Sequence, residues 1–364
     1  MAAEHSLGPD ERAALGIKRR DIGEFMAQPG TGRRHSMQGF DPEYTDIVDY
    51  IVRCTHKIWE EKAIGLIYTH YSHNASIHLT DAELYGREQM VTGTLRTLAA
   101  FPDLRLYGDE VIWSGNDVEG FHTSHRVTWS AHNTGHSVYG PPTGARIQRR
   151  EIAHCVVINN RIVEEWSVQD DTALIRQLGL DEVALAKTLA QAEADSGARA
   201  YASGQGEVPR GKGQMHPPIS LSGDPANPAE LPGLLFALVW NARMLNLIAD
   251  YYAPGAVIWV PGNCRLEGHG DLTVYVLHLL AAFSDGAIQL DHVTWMGSEA
   301  QGYRVAARWT FQGTHDGPGG YGPPTGKRVR VLGISHFELE GGKVVREYMI
   351  WNEFALLKQL HWPG

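Results

Sequence analysis

The chain lacks the features that mark membrane, disulfide-rich and nucleic-acid-binding proteins. Its 364 residues include only three cysteines, and their spacing fits neither a disulfide framework nor a metal motif. Acidic residues outnumber basic ones, 42 to 32, which argues against a nucleic-acid partner. There is no run of 18 apolar residues, and residues 1–34 are too polar for a signal peptide. These absences predict a cytoplasmic protein with neither a membrane nor a nucleic acid as its partner.

The motifs by which proteins bind phosphate groups or build covalent nucleophiles are also missing. The sequence contains no glycine-rich phosphate loop, no dinucleotide-binding fingerprint and no nucleophile elbow. GPPTG at residues 140–144 is followed by strand-like residues and not by a helix, so we interpret it as a turn. We therefore expect no cofactor and no metal ion, and any catalysis would rest on side chains alone.

What the chain does contain is an internal repeat. Residues 139–178 align without a gap to residues 321–360, at an offset of 182, with 15 identities in 40 positions. The match extends upstream, because LRTLAAFPD at 95–103 corresponds to LHLLAAFSD at 277–285. One repeat is about half the chain, which is the size of a domain and not of a solenoid repeat.

The repeat divides the chain into four predicted parts. They are an N-terminal arm (1–44), a first copy (45–180), a linker rich in Gly, Pro and Ser (181–232) and a second copy (233–364). Each copy is large enough to bury a core of its own.

Each copy begins with helices and ends with strands. In the first copy, apolar residues recur at helical spacing from Tyr44 to Tyr71, and a second helix is predicted from Arg87 to Ala100. Asn159 and Asn160 separate two β-branched runs, which is a strong signal for a hairpin turn. The predicted strands cover 104–113, 120–131, 146–158 and 162–168, and a short helix follows at 172–178. This order predicts an α+β fold of two fused cone-shaped domains, each a curved antiparallel sheet with helices packed on its concave face.

Both copies resemble the SnoaL-like polyketide cyclases, a branch of the nuclear-transport-factor-2-like superfamily of α+β cone domains. The resemblance rests on the order of AAFPD, a run of strands, GPPTG, a hairpin before RIVEEW, and RQLG at 176–179. It covers nearly all of both copies and leaves out the arm and the linker. Single-domain relatives commonly dimerise, so the resemblance also implies a homo-oligomer.

The superfamily includes cyclases, dehydratases, isomerases, lyases and plain binding domains, so the site and not the fold decides the activity. We interpret the chain as a cofactor-independent lyase that acts on a bulky hydrophobic or aromatic small molecule by retro-aldol cleavage, such as deformylation. An aldol-type cyclase, isomerase or dehydratase of a polyketide-like substrate is the alternative, and so is a non-catalytic ligand-binding protein.

The resemblance implies a general acid/base at Asp170, which follows the last strand of the first copy. In the cyclases, an aspartate at this position exchanges protons with the substrate. The structural alternative is a helix N-cap, because aspartate is a preferred capping residue. The second copy has Asn352 there, and an amide cannot exchange a proton in this way. The difference predicts that the first copy is the active one.

Aromatic and basic side chains complete the predicted site. A tyrosine can donate a hydrogen bond to a carbonyl, an imidazole can act as a base, and an arginine can neutralise an enolate. Each has an ordinary alternative, as a core residue or as a member of an ion pair. The predicted catalytic residues are Asp170, His154, Tyr71, His132 and Arg126. The predicted substrate-binding residues are Trp166, His125, His336, Asn352, Tyr252 and Arg308.

Overall fold

The computed structural model describes residues 7–16, 26, 32–198 and 222–363. Residues 199–221 of the predicted linker and much of the predicted arm lie outside the described residues. The chain divides into two compact units. Unit 1 takes its residues from Met1–Leu79, Glu83–Ser167 and Thr294–Ser298, and unit 2 from Thr80–Ala82, Val168–Val293 and Glu299–Gly364. The segment after Ser167 therefore packs within unit 2, so the compact units and the sequence repeat divide the chain differently.

The helices are mostly short and precede or follow the strands of each copy. They are α1 (Pro9–Ala14), α2 (Ile47–Trp59), α3 (Ile67–His70), α4 (Arg87–Ala100), α5 (Asp171–Gln177), α6 (Glu182–Asp195), α7 (Leu231–Leu235), α8 (Ile248–Tyr251), α9 (Gly268–Ala282) and α10 (Glu353–Leu360). A π-helical turn, Phe236–Asn241, continues α7. Within the described ranges, no helix combines the length and the apolar character needed to cross a membrane.

In the described ranges, twelve strands form two sheets of six. They are β1 (Tyr71–His78), β2 (Glu83–Tyr85), β3 (Arg105–Asn116), β4 (Gly120–His132), β5 (Arg146–Ile158), β6 (Arg161–Gln169), β7 (Tyr252–Val260), β8 (Cys264–Glu267), β9 (Ala287–Ser298), β10 (Gly302–Thr314), β11 (Arg328–Glu340) and β12 (Lys343–Trp351). The first sheet has the order β2-β1-β6-β5-β4-β3, and the second has the same order, β8-β7-β12-β11-β10-β9. The identical order is what a duplication of one domain predicts.

The α+β prediction is confirmed, with one correction to the sheets. Each sheet is mixed and not antiparallel, because β1 pairs with β6 in parallel and β7 pairs with β12 in parallel. Parallel neighbours need a long connection, and here the intervening strands and a helix provide it. Neither sheet closes into a barrel.

The predicted hairpin between β5 and β6 is confirmed by its backbone. Asn159 and Asn160 both have positive φ, 48° and 66°, as a two-residue type I′ turn requires. At the aligned place in the second copy, Gly341 and Gly342 have φ values of 55° and 74°. The turn fixes the register of β5 and β6, which carry Glu151 and Glu165.

Candidate functional site

Unit 1 contains a cavity of ≈ 50 Å³ between α2 and the first sheet, which we call the first-copy cavity. From α2, residues at helical spacing line it: Ile51, Cys54, Thr55, Ile58 and Trp59. Positions i, i+3, i+4, i+7 and i+8 lie on one face of a helix. The helix begins at the N-cap Asp46, whose side chain accepts from the backbone N–H of Asp49. The amphipathic pattern that buries α2 therefore also builds one wall of the cavity.

The opposite wall comes from alternating residues of two strands. They are His125, Val127 and Trp129 of β4, and Glu151, Ala153 and Cys155 of β5. Successive side chains of a strand point to opposite faces, so every second residue reaches the cavity. The antiparallel register sets Val127 directly opposite Glu151, and His125 directly opposite Ala153.

A tyrosine–glutamate pair lies in the cavity wall. The hydroxyl of Tyr71, at the start of β1, donates to Oε2 of Glu165 on β6 over 2.6 Å. Burial raises the pKa of Glu165 to about 7, even though the hydrogen bond from Tyr71 lowers it. Burial also raises the pKa of Tyr71 well above its ordinary value, so the phenol stays protonated and donates. A carboxyl that titrates near neutrality is suited to taking up and releasing a proton.

A second buried carboxylate, Glu151, lies in the same wall and is held by its neighbours. Its Oε1 accepts from the hydroxyl of Ser167 over 2.9 Å, and its Oε2 lies 3.5 Å from Nη2 of Arg149. The guanidinium of Arg149 in turn lies 4.2 Å from the ring centre of Trp129. Glu151 is thus paired with a cation, whereas Glu165 has no cationic partner among the residues that the structure describes.

His125 adds a neutral imidazole to the cavity. The residue is 4% exposed, and burial followed by the charge of Arg126 lowers the pKa of His125 to about 3. A neutral imidazole offers one N–H donor and one acceptor nitrogen. Its Nε2 is buried and has no hydrogen-bond partner in the described part of the chain. Leaving a buried polar atom unpaired costs roughly 1–3 kcal/mol, so a ligand that supplied a partner would be stabilised.

The second copy repeats the tyrosine–glutamate pair. The hydroxyl of Tyr252 donates to Oε2 of Glu347 over 2.6 Å, and burial raises the pKa of Glu347 to about 7. The distance and the pKa both match those of the first copy. The pair is therefore a property of the shared scaffold and does not by itself distinguish an active copy.

The surroundings of the pair differ between the copies. Val127 and Glu151 of the first copy correspond to Trp309 and Gly333 of the second, which are again directly opposite each other. The indole of Trp309 lies against Gly333 so closely that a β-carbon there would be 2.3 Å from its Cη2. His125 corresponds to Ala307. A cavity that Trp309 lines in the second copy measures ≈ 10 Å³, which is at most enough for a single water molecule.

Two of the predicted residues, Tyr71 and His125, line the first-copy cavity. Three others are sequence neighbours of lining residues and do not line it. Arg126 pairs with Asp109 at 3.1 Å, the ring of His154 packs edge-on to that of Trp166 at 5.8 Å, and Trp166 stacks on His78. A shift of one residue along a strand reverses the face, and that is what separates these three from the cavity.

The remaining predicted residues of the first copy and their counterparts lie elsewhere. His132, at the end of β4, is half exposed and lies 2.6 Å from a carboxylate oxygen of Asp103. Arg308 of β10 and His336 of β11 are buried in the second sheet, where His336 pairs with Ala306 and Tyr348 in the register. Their catalytic or binding roles stay predictions.

Asp170 and Asn352 both act as helix N-caps. Oδ1 of Asp170 accepts from Ala173 N at 3.0 Å and from Gly262 N at 2.8 Å, and Oδ2 accepts from Asn263 N at 2.9 Å. Burial raises the pKa of Asp170 against the opposing effect of these three donors. Asn352 caps α10 by accepting from Ala355 N. The structural alternative for Asp170 is thus present in the structure, and the proton-exchange role stays a prediction.

The sequence reasoning missed Glu165 and Glu151. A signal for Glu165 was present, because Glu165 and Glu347 align in the repeat just as Tyr71 and Tyr252 do. Two carboxylates retained in strand-like, apolar segments of both copies indicate buried partners. Glu151 gave the opposite signal, since the repeat has Gly333 at its place.

A family model for SnoaL-like polyketide cyclases matches the chain twice, at residues 49–178 and 234–360. Together these segments make up more than half of the chain. The chain belongs to the SnoaL-like polyketide cyclase family. The double match confirms the tandem duplication of the family's domain. Membership suggests a cofactor-independent enzyme, a cyclase or an isomerase.

The solved structures that follow each match less than half of this chain. A proposed SnoaL-like polyketide cyclase from Jannaschia sp. CCS1 is 21% identical over 40% of this chain and 99% of its own, with a TM-score of 0.35. TsrD from Streptomyces laurentii is 20% identical over 36% of this chain and 94% of its own, with a TM-score of 0.33. A SnoaL-like polyketide cyclase from Agrobacterium tumefaciens C58 is 20% identical over 36% and 97%, with a TM-score of 0.31. A search of curated proteins finds no match.

Proposed function

We propose that the first-copy cavity is the active site of a cofactor-independent carbon–carbon lyase of the retro-aldol type, with Glu165 as its acid/base. The observation that carries the proposal is the Tyr71–Glu165 pair, in which a buried carboxyl with a pKa of about 7 faces an open cavity. Such a group is present in both protonation states near neutral pH, which is the condition for efficient general acid/base catalysis.

The reaction balances with side chains alone. The Glu165 carboxylate accepts the proton of a β-hydroxyl group, the bond between the α and β carbons breaks, and its electron pair passes to the carbonyl as an enolate. The β carbon leaves as an aldehyde. The α carbon then takes the proton back from Glu165, so that the enzyme returns to its starting state. Run in reverse, the same steps join two carbons, which is the reaction class of an aldol-type cyclase.

His125 supplies a hydrogen-bond donor for the oxygen of the enolate. An N–H donor aimed at developing negative charge in a water-poor site stabilises that charge far more than it would in bulk water. The imidazole of His125 is neutral, lines the cavity and has an Nε2 without a partner in the part of the chain that the structure describes. We assign it to the carbonyl oxygen of the substrate, with the partly exposed ring of Trp59 in contact with an aromatic part.

The size of the cavity favours cleavage over ring closure. A cavity of about 150 Å³ accepts one benzene molecule, whereas the first-copy cavity measures ≈ 50 Å³. It admits the reacting end of a substrate, and a large remainder lies beyond the mouth. Ring closure of a polyketide-like chain would require both reacting carbons and the chain between them inside, whereas loss of a one-carbon fragment requires only the end.

The test compares matched glutamates in the two copies. With 3-hydroxypropiophenone as the probe, cleavage gives acetophenone and formaldehyde, which are followed by ¹H NMR and by a formaldehyde assay. We expect Glu165→Gln to lower turnover by about 10² or more, the usual scale for loss of a general acid/base. Glu347→Gln, in the closed copy, should leave turnover unchanged, and chelator-treated enzyme should keep its activity.

A second assay covers the steps shared by all aldol-type reactions. Acetophenone in D₂O should exchange its α protons in the presence of the enzyme, and Glu165→Gln should abolish the exchange. Exchange without formaldehyde release would move the assignment from lyase to isomerase or cyclase. Full activity of Glu165→Gln together with loss in Glu347→Gln would overturn the proposal, since the active copy would then be the second.

A further inference from the structure

We propose that the second copy contains a second ligand site for a flat aromatic molecule of indole size, and that the side chain of Trp309 permanently occupies it. The proposal concerns the second copy alone and is independent of the reaction assigned to the first. It predicts that the second copy binds no added ligand of this kind as long as the side chain of Trp309 is in place.

The two copies differ by the exchange of one cross-strand pair. The first copy has a small and a long side chain opposite each other, Val127 and Glu151, and the cavity lies over them. The second copy has Trp309 opposite Gly333. The six-membered ring of the indole lies over the glycine, since a β-carbon at Gly333 would be 2.3 Å from its Cη2 and Cζ2. The indole thus occupies the space that the β-carbon of any other residue at position 333 would occupy.

A hydrogen bond and aromatic contacts hold the indole in place. Its Nε1–H donates to Oγ of Ser335 over 3.2 Å, and the Ser335 hydroxyl forms a hydrogen bond that lowers the pKa of Glu347. Glu347 in turn accepts from Tyr252. The ring of Phe236 packs edge-on to that of Trp309 at 6.0 Å. An N–H directed to the polar end and aromatic contacts elsewhere are what a binding site provides to a heteroaromatic ligand.

Little space is left beside the indole. The residual cavity is ≈ 10 Å³, and its lining is made of aromatic and aliphatic side chains, including Trp240, Phe311 and Met349. Trp309 itself is 2% exposed. Removing the indole would therefore leave an enclosed apolar space with Ser335 and Glu347 at one end. Apolar cavities made in this way stay dry and bind small aromatic molecules.

The experiment removes the occupant and offers it back as a free molecule. In Trp309→Gly, free indole should raise the thermal unfolding midpoint by several degrees, increasing with the logarithm of its concentration. Wild-type protein and Trp309→Phe, in which an aromatic ring remains, are the controls and should respond at most weakly. With 5-fluoroindole, the ¹⁹F spectrum of Trp309→Gly should show one bound resonance per chain that wild-type protein lacks.

A second experiment tests the hydrogen bond between the indole N–H and Ser335. On the Trp309→Gly background, Ser335→Ala should weaken indole binding by roughly 2- to 10-fold, the range for loss of one hydrogen bond. 1-Methylindole, which has no N–H, should bind the Trp309→Gly protein more weakly by a similar factor and should be insensitive to Ser335→Ala.

Two results would overturn the proposal. One is a folded Trp309→Gly protein whose midpoint and ¹⁹F spectrum respond to indole no more than those of wild type. The other is a Trp309→Gly protein that is unfolded and is not restored by indole during refolding, while Trp309→Phe folds normally. In that case the indole is an ordinary core side chain that packing requires, and no ligand site lies beneath it.

Discussion

The two copies share a sheet order, a turn and a buried tyrosine–glutamate pair, yet one of them is open and the other is filled. The difference is concentrated at a single cross-strand pair, Val127 and Glu151 in the first copy and Trp309 and Gly333 in the second. The volumes that remain are ≈ 50 and ≈ 10 Å³. The reaction that we propose would thus depend less on the tyrosine–glutamate pair, which both copies have, than on whether a ligand can reach it.

The largest expected effect comes from making the first copy like the second. We expect the double variant Val127→Trp/Glu151→Gly to fold, because the same pair packs in the second sheet, and to lose activity by about 10² or more since the ligand can no longer approach Glu165. Formaldehyde release and circular dichroism would be measured together. A folded double variant that retained wild-type turnover would show that the reaction takes place outside this cavity.

Overpacking the second copy is expected to have the next largest effect. In Gly333→Ala the new β-carbon meets the Trp309 ring at 2.3 Å, and inserting atoms into a filled core costs about 1–3 kcal/mol. Gly255→Ala is the matched control, because no heavy atom lies within 4 Å of the added carbon there. The free energy of unfolding would be measured by urea denaturation. Equal values for the two variants would mean that Trp309 moves aside easily, and the description of a rigidly filled copy would be wrong.

The sequence predicted the elements that depend on local signals. Helical spacing gave α2 and α4, and Asn159 and Asn160 gave the hairpin, because both signals are local. The family resemblance gave the cone-shaped α+β class but no strand order. The parallel pairing of β1 with β6 was not predicted, since it depends on a long connection and not on a local signal.

The candidate site was harder to predict, because a shift of one residue along a strand moves a side chain to the opposite face of the sheet. Tyr71 and His125 line the cavity, whereas Arg126, His154 and Trp166 are each one position away from residues that do. The repeat indicated that Glu165 is buried, but simple alternation along the strand does not predict which face it is on. In the second sheet, Arg346 pairs with Glu338 and Val344 with Leu339, so that Val345 is an extra residue of β12. Such a bulge shifts the alternation by one and brings the aligned glutamate inward.

The pH dependence offers a more quantitative comparison of the two tyrosine–glutamate pairs. Glu165 must be ionised to accept a proton, so kcat/KM should rise with pH through about 7, the value to which burial raises its pKa. Tyr71→Phe removes a hydrogen bond that lowers this pKa, so the rise should move to higher pH. The control, Tyr252→Phe, should leave the profile in place. A profile that moved with Tyr252→Phe and not with Tyr71→Phe would assign the titrating group to the second copy.

The smallest expected effect concerns the two N-caps and decides between two roles for Asp170. As a cap, its carboxylate accepts from Ala173 and Gly262 through Oδ1 and from Asn263 through Oδ2. In Asp170→Asn the amide oxygen keeps the first two donors, whereas the amide nitrogen faces the N–H of Asn263. The variant should therefore lose about 1–2 kcal/mol of stability, the scale of one lost hydrogen bond with its donor left buried.

Turnover of the folded Asp170→Asn variant should stay within about twofold of wild type, because Asp170 does not line the first-copy cavity. Asn352→Ala, which removes the corresponding cap of α10, is the control and should cost about 1 kcal/mol without a kinetic effect. Urea denaturation gives the stabilities, and formaldehyde release gives the turnover. If Asp170→Asn instead lowers turnover by about 10² while the protein stays folded, the proton exchange predicted from the family resemblance belongs to Asp170. Glu165 would then be, like Glu347, a buried partner of a tyrosine.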